Sequence, residues 1–217
     1  KQQAQRDATA LSLIYLQLSP KMRPIARDKL DQVIGLASDA IRMQAFNQAW
    51  QVRLEKWRGR KEEMERTIPI FYALISNDPK EHMFHGQLGF ALKDKVEPEF
   101  REAETELSTA IELRGDWRKK EEWLYYEFAR AICRIMCDPG YQSGGPSAPD
   151  VRTAISADLK AAMRHENIRH NLNEIEELSK KPCTSQAESD AADAAGVAII
   201  KWLQLNHLNK NELMAED

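Results

Sequence analysis

The stretch PKEHMFHGQLGFALKDKVEPEFREAETELSTAIELRG, residues 79–115, decides how this chain is read. His85, Leu88, Gly89 and Leu92 set bulky side chains one turn either side of a Leu-Gly pair, and Ala103, Leu107 and Ala110 repeat a small–large–small order at helical spacing. Residues three and four apart share a helix face. A glycine flanked by large residues is what two closely crossing helices need. The spacing predicts a helix–turn–helix unit, with Lys93–Pro98 as its joint and Asp78, Pro79 and Glu81 as its N-cap, first-turn proline and supporting carboxylate.

The same offsets recur on both sides. Thr67, Phe71 and Leu74 precede Pro79 as Ala103, Leu107 and Ala110 precede Gly115, so residues 61–76 read as the second helix of an earlier pair. Ile68, Phe71, Tyr72 and Ile75 point inward there, and Pro69 kinks that helix or marks its start. The first helix of that pair falls within 44–58, which Trp50, Leu54 and Trp57 match loosely. Forward of Gly115, Asp116 caps a helix carrying Tyr125, Phe128, Ala129 and Ile132. After the loop CDPGYQSGGPSAPD, Ser147 and Asp150 restart a helix with Ile155, Leu159 and Ala162 inward.

The ends are irregular. Ala8, Leu11, Ile14, Tyr15 and Leu18 give a first helix that stops at Ser19-Pro20, and Pro24 opens the next. From Ile25 to Trp57 the apolar period is that of one long helix or of two joined near Gln44, and Arg58-Gly59-Arg60 turns the chain. Beyond Ala162 the helix runs on through Ile168, Leu172, Ile175 and Leu178 or breaks near His165, and SKKPCTSQAESD is a linker. Ser185 and Glu188 then form a capping box for a last apolar helix with Ala192, Val197, Ile199, Trp202 and Leu205.

These spacings resemble the tetratricopeptide (TPR) repeat, well over 79–115, fairly over 117–164 and weakly over 44–78. His85 stands where that family favours a bulky apolar residue, Leu92 where it has Tyr, and Gly115 where a Pro often follows. The resemblance implies an all-α, TPR-like superhelix of about seven to nine helices in one domain. Capping helices fill 1–60 and 165–217, and the repeats occupy 61–164. It also implies a concave groove lined by first helices, with Met83, Gly86, Gln87, Phe90 and Lys93, then Trp123, Tyr126, Glu127, Arg130 and Arg134 facing it. Phe90, Trp123 and Tyr126 would be aromatic anchors and Arg130 and Arg134 anion partners. The alternative for Trp123 and Tyr126 is packing against the N-terminal helices. Gly86, Phe90, Tyr126 and Arg130 occupy the positions at which chaperone-binding TPRs clamp a C-terminal carboxylate, so that activity is not expected.

Composition narrows the classes further. The chain has 217 residues, 42% hydrophobic and 30% charged, the profile of a folded chain rather than a disordered one. A formal charge of −3 gives no bulk attraction to nucleic acid or anionic membrane, and no apolar run is long enough for a bilayer. One basic cluster, Arg53, Lys56, Arg58, Arg60 and Lys61 with Trp50 and Trp57, could take single-stranded nucleic acid by stacking, but Glu55, Glu62, Glu63 and Glu65 dilute it. Cys133, Cys137 and Cys183 form no framework, which favours a reducing, cytoplasmic setting. The chain opens at Lys1 without Met, which reads as a trimmed or partial sequence.

Metal motifs fail on spacing. His165 and His170 are one residue too far apart for a zincin pair, His82 and His85 lack further ligands, and no Glu-x-x-His occurs. No phosphate loop or nucleophile elbow is present. The expectation is a non-catalytic scaffold, without metal or cofactor, that binds a peptide, a partner helix or a neighbouring domain. A ligand- or nucleic-acid-sensing helical module is the alternative.

Overall fold

The computed structural model describes residues 1–115, 125–164, 172–173, 194–210 and 213. Asp116, Trp123, His165, Ile168, His170, Ile175, Leu178, Cys183, Ser185, Glu188 and Ala192 fall outside them. The described residues are helical, with no strand among them. Those helices are α1 (Gln2–Leu18), α2 (Arg27–Leu36), α3 (Asp39–Lys56), α4 (Lys61–Glu65), α5 (Ile68–Asn77), α6 (His82–Asp94), α7 (Phe100–Arg114), α8 (Tyr126–Cys137), α9 (Pro139–Gln142), α10 (Pro149–Ala162) and α11 (Ala194–Leu205). They fall into two compact units, Lys1–Asp116 and Trp117–Asp217, taken separately below.

In the first unit the core is aromatic. Phe46 on α3 meets Phe71 on α5 at 6.2 Å and Phe84 on α6 at 5.1 Å between ring centroids. Edge and tilted contacts of this kind add to the area that the rings bury. Ala45 and Ala49, fully buried beside Phe46, let α3 lie close to its neighbours. The α6–α7 hairpin follows the expected spacing. Leu88, Leu92, Ala103, Leu107 and Ala110 are all buried. A Cβ added at Gly89 would sit 2.7 Å from Leu107 Cγ and 3.2 Å from the Ala103 carbonyl, so the absent side chain is what lets the two helices cross there. Gly115 ends α7 at φ 71°, a left-handed backbone that glycine adopts without strain.

Several boundaries differ from the sequence reading. The long helical pattern from Ile25 to Trp57 breaks at Ala37-Ser38, not near Gln44. Both residues are extended, and Asp7 on α1 takes the Ser38 N–H at 2.8 Å and its hydroxyl at 3.0 Å. A carboxylate from another helix thus holds the residue that precedes α3, and local periodicity carries no trace of such a partner. The second helix starts at Arg27, after Pro24 rather than with it. Pro69 lies in the first turn of α5 and marks its start. Glu81, not Asp78, caps α6, accepting the Met83 N–H at 3.2 Å. Tyr15, part of the apolar spacing that marks the first helix, is 73% exposed, because α1 turns Ala10, Ile14 and Gln17 inward. Gln17 is held there by polar contacts: its amide donates to the Arg66 carbonyl and its oxygen accepts the Ile25 N–H.

In the second unit α8 packs on α10 and on α11. Ile155, Leu159 and Ala162 are buried as the spacing predicts, together with Ile132, Ile135, Ile199 and Trp202. Ser147 does not cap α10; Ala148 holds that position.

Candidate functional site

The residues expected to line a groove are mostly engaged. On α6, Gln87 is 1% exposed and its Oε1 accepts from Arg53 Nε at 2.6 Å. The Arg53 guanidinium also stands 5.0 Å over the Phe90 ring. Met83 is half-buried, and Lys93 is ion-paired with Asp94. Arg53, assigned from sequence to a separate basic patch, therefore belongs with Gln87 and Phe90, and both candidate sites meet at this α3–α6 seam. Burying a guanidinium requires partners for its donors, and the amide acceptor and aromatic face supply two of them.

The rest of the basic patch is diluted, as its glutamates imply. Trp50 is half-buried against Phe46 at 5.6 Å, and Arg58 stands 4.6 Å over the half-buried Trp57. Lys56 lies 4.0 Å from both Glu55 and Glu63, Arg60 lies 3.7 Å from Glu63, and Lys61 is half-buried.

On α8 the expected anchors are internal. Tyr126 is fully buried and Glu127 nearly so, which corrects the expectation that they face a groove; Trp123 lies outside the described residues. Arg130 grips Asp158 on α10 through Nε at 3.0 Å and a second nitrogen at 2.5 Å, and Arg134 adds a bond at 2.9 Å. Burial pushes the Asp158 carboxyl above its ordinary range, against the pull of the Arg130 hydrogen bonds and of both guanidinium charges. These arginines hold α8 to α10 and are committed to that carboxylate. A second polar centre escaped the sequence reading. Ser147 Oγ donates to Asp138 at 2.5 Å and accepts from Trp202 Nε1 at 2.8 Å, while the Ser147 N–H donates to Asn206 at 3.0 Å. It joins the α8–α9 corner, the start of α10 and α11. The CDPG turn and the indole were both visible in the sequence, but nothing local links them.

An open groove lies between α1 and α3. It has a volume of about 470 Å³ and is lined by Leu11, Ser12, Tyr15, Leu16, Gln44 and Gln48. Of its lining, Tyr15 is 73% exposed; Met43, next to Gln44 in the chain, is 46% exposed, and Ala8 and Asn47 are also outward. None of these residues is charged, in a chain where 30% are. Asp7 pins this pair of helices at one end; the Ser38 N–H is the main reason its carboxyl titrates below the usual range, outweighing partial desolvation, with Gln3 and the Ser38 hydroxyl assisting. The sequence carried a signal for this face: α1 has two apolar stripes, Ala10–Ile14 and Ala8–Leu11–Tyr15, and only one can be used inside.

Among the described residues, no group of three or more His, Cys, Asp or Glu is set to hold a metal ion, and no helix is long and apolar enough to cross a membrane. Comparison with family models, with curated proteins and with solved structures gives no match for this chain.

Proposed function

We propose that this chain is a non-catalytic protein-interaction module and that the α1–α3 face is its binding surface, taking the apolar side of a partner helix. The observation that carries this reading is the uncharged, open groove lined in part by the exposed Tyr15, with the exposed Met43 next to Gln44 in the chain. Loss of charge together with gain of Tyr and Met is the compositional mark of an interface core. A trough between two helices can take a third, with Leu11 and Leu16 as its apolar lining and Gln44 and Gln48 as its hydrogen-bonding lining. An open trough cannot bury most of a small ligand, which favours a protein over a metabolite. The groove of first helices is the weaker location for such a partner, since Gln87, Arg130 and Arg134 are already bonded within their own units.

The finer fold assignment is part of the same proposal. The α6–α7 and α8–α10 pairs are TPR-like repeats of a superhelical array, supported by the Gly89 crossing and by the burial of Ile155, Leu159 and Ala162. A cytoplasmic setting is proposed on the cysteine pattern alone.

The test is partner capture with three chains: wild type, Tyr15→Glu, and Val96→Glu as a control at another exposed apolar position. A partner retained by wild type and by the Val96 variant, lost with Tyr15→Glu, and still held at about 0.5 M salt is the expected result, because an uncharged face has little ionic attraction to screen. Release of the captured material by that salt points instead to nucleic acid. Equal capture by all three chains contradicts the assignment of the face.

A further inference from the structure

We propose that His85 and Glu106 jointly retain a proton at neutral pH, and that this proton locks α6, α7 and the Pro79 turn together, making the central hairpin a pH-responsive element. The geometry fixes a proton count. His85 Nε2 lies 3.0 Å from the Pro79 carbonyl oxygen, which can only accept, so Nε2 carries a hydrogen. His85 Nδ1 lies 2.6 Å from Glu106 Oε2. That contact also needs a hydrogen, whether it resides on the ring or on the carboxyl. A neutral ring facing an ionised carboxylate would set two lone pairs against each other at that distance. The whole arrangement therefore holds one proton more than a neutral histidine beside a carboxylate.

The surroundings reinforce the count. His85 is buried, and the Glu106 side chain is 18% exposed, so water screens the pair weakly. Burial by itself lowers the ability of His85 to hold a charge, but the Glu106 hydrogen bond, the Pro79 carbonyl and the Glu106 charge outweigh it and leave its titration above the ordinary histidine value. Glu102 of α7 and Glu99 just before it stand on the side of Glu106, the first bonded to the Tyr72 hydroxyl of α5 and the second to Lys95. Burial, then the bond to Glu102, then the charges of Glu102, Glu106 and Glu99, push the Tyr72 phenol up, which places these carboxylates in one negative field. Arg27 of α2 stands 4.1 Å over the Tyr72 ring. At the cap of α6 Glu81 is occupied with the Met83 N–H, and on α6 His82 lies one turn before His85. From α3, Arg53 is directed to Gln87, and from α4, Glu65 takes the Val96 N–H.

The sign follows by linkage. A histidine that titrates higher folded than its unfolded value of about 6.5 contributes stability that is full below that value and is lost as pH rises through the folded one. If the proton spends time on Glu106 the macroscopic sign is unchanged, because the pair titrates as one. Raising the pH therefore leaves two acceptors facing each other across the hairpin and loosens the start of α6.

Ring-nitrogen NMR of the whole chain, titrated from pH 5.5 to 10, tests this with amide exchange over residues 82–114 and with a thermal scan. The expected result is that at pH 7 Nε2 is protonated and Nδ1 shares the extra proton with Glu106, and that the pair loses it only above the free histidine value of about 6.5. Across the same range, after correction for base-catalysed exchange, protection of the hairpin falls, and Tm drops by roughly 3 °C. Glu106→Gln, a change at a partly exposed position, should bring the His85 titration down and flatten the stability profile. A wild-type His85 that titrates at or below the free value, or a Glu106→Gln chain with an unchanged profile, overturns the proposal.

Discussion

The α6–α7 pair and the α8–α10 pair carry similar small–large spacings and are held together by different means. Between α6 and α7 the fit is one of shape: Gly89 leaves a notch that Leu107 fills, and Ala103 and Ala110 lie flat on either side. Between α8 and α10 the apolar residues are joined by charge, with Asp158 clasped by Arg130 and Arg134, and the end of the pair is tied by Ser147. Shape complementarity depends on residues a turn apart, which a sequence displays. A charge clasp depends on partners more than twenty residues away, which it does not.

The strongest way to break the comparison is Asp158→Ala. It leaves two mostly buried guanidiniums without their carboxylate, and stability should fall by about 3 kcal/mol in urea denaturation. A loss below about 1 kcal/mol means that the arginines are solvated and that α8 and α10 are held by Ile155 and Leu159 alone. Gly89→Val sharpens the other side. Its side chain must displace Leu107, and the expected destabilisation is about 2 kcal/mol. In the background of Leu107→Ala the same change should cost less, and a double-mutant cycle measures that coupling. The smallest effect is that of Ser147→Ala, about 1 kcal/mol, since it removes the acceptor for the Trp202 indole while Asp138 keeps its bonds to the Gly140 and Tyr141 N–H groups. Trp202 fluorescence in the denaturation curve reads it.

How much could be read beforehand follows the same division. The hairpin of α6 and α7, the turn at Arg58–Arg60, the stop at Ser19 and the inward set of Ile155, Leu159 and Ala162 all rest on local spacing, and the structure has them where the sequence puts them. The break at Ala37-Ser38 and the outward turn of Tyr15 do not, because each is decided by a distant polar group, Asp7 in one case and the Gln17–Arg66 contacts in the other. For the candidate site, the TPR resemblance put Gln87, Phe90, Arg130 and Arg134 in a binding groove, and the same donors and rings serve equally well for internal clasps. What separates the two uses is burial, and for Tyr126 and Gln87 burial is nearly complete.

The most direct test of the account is photo-crosslinking from a reactive residue placed at Tyr15 and, separately, at Val96, each exposed and apolar, followed by capture of the adduct. The expected result is a defined protein adduct from position 15, absent from position 96, that survives about 0.5 M salt. An adduct pattern that is the same from both positions would contradict it.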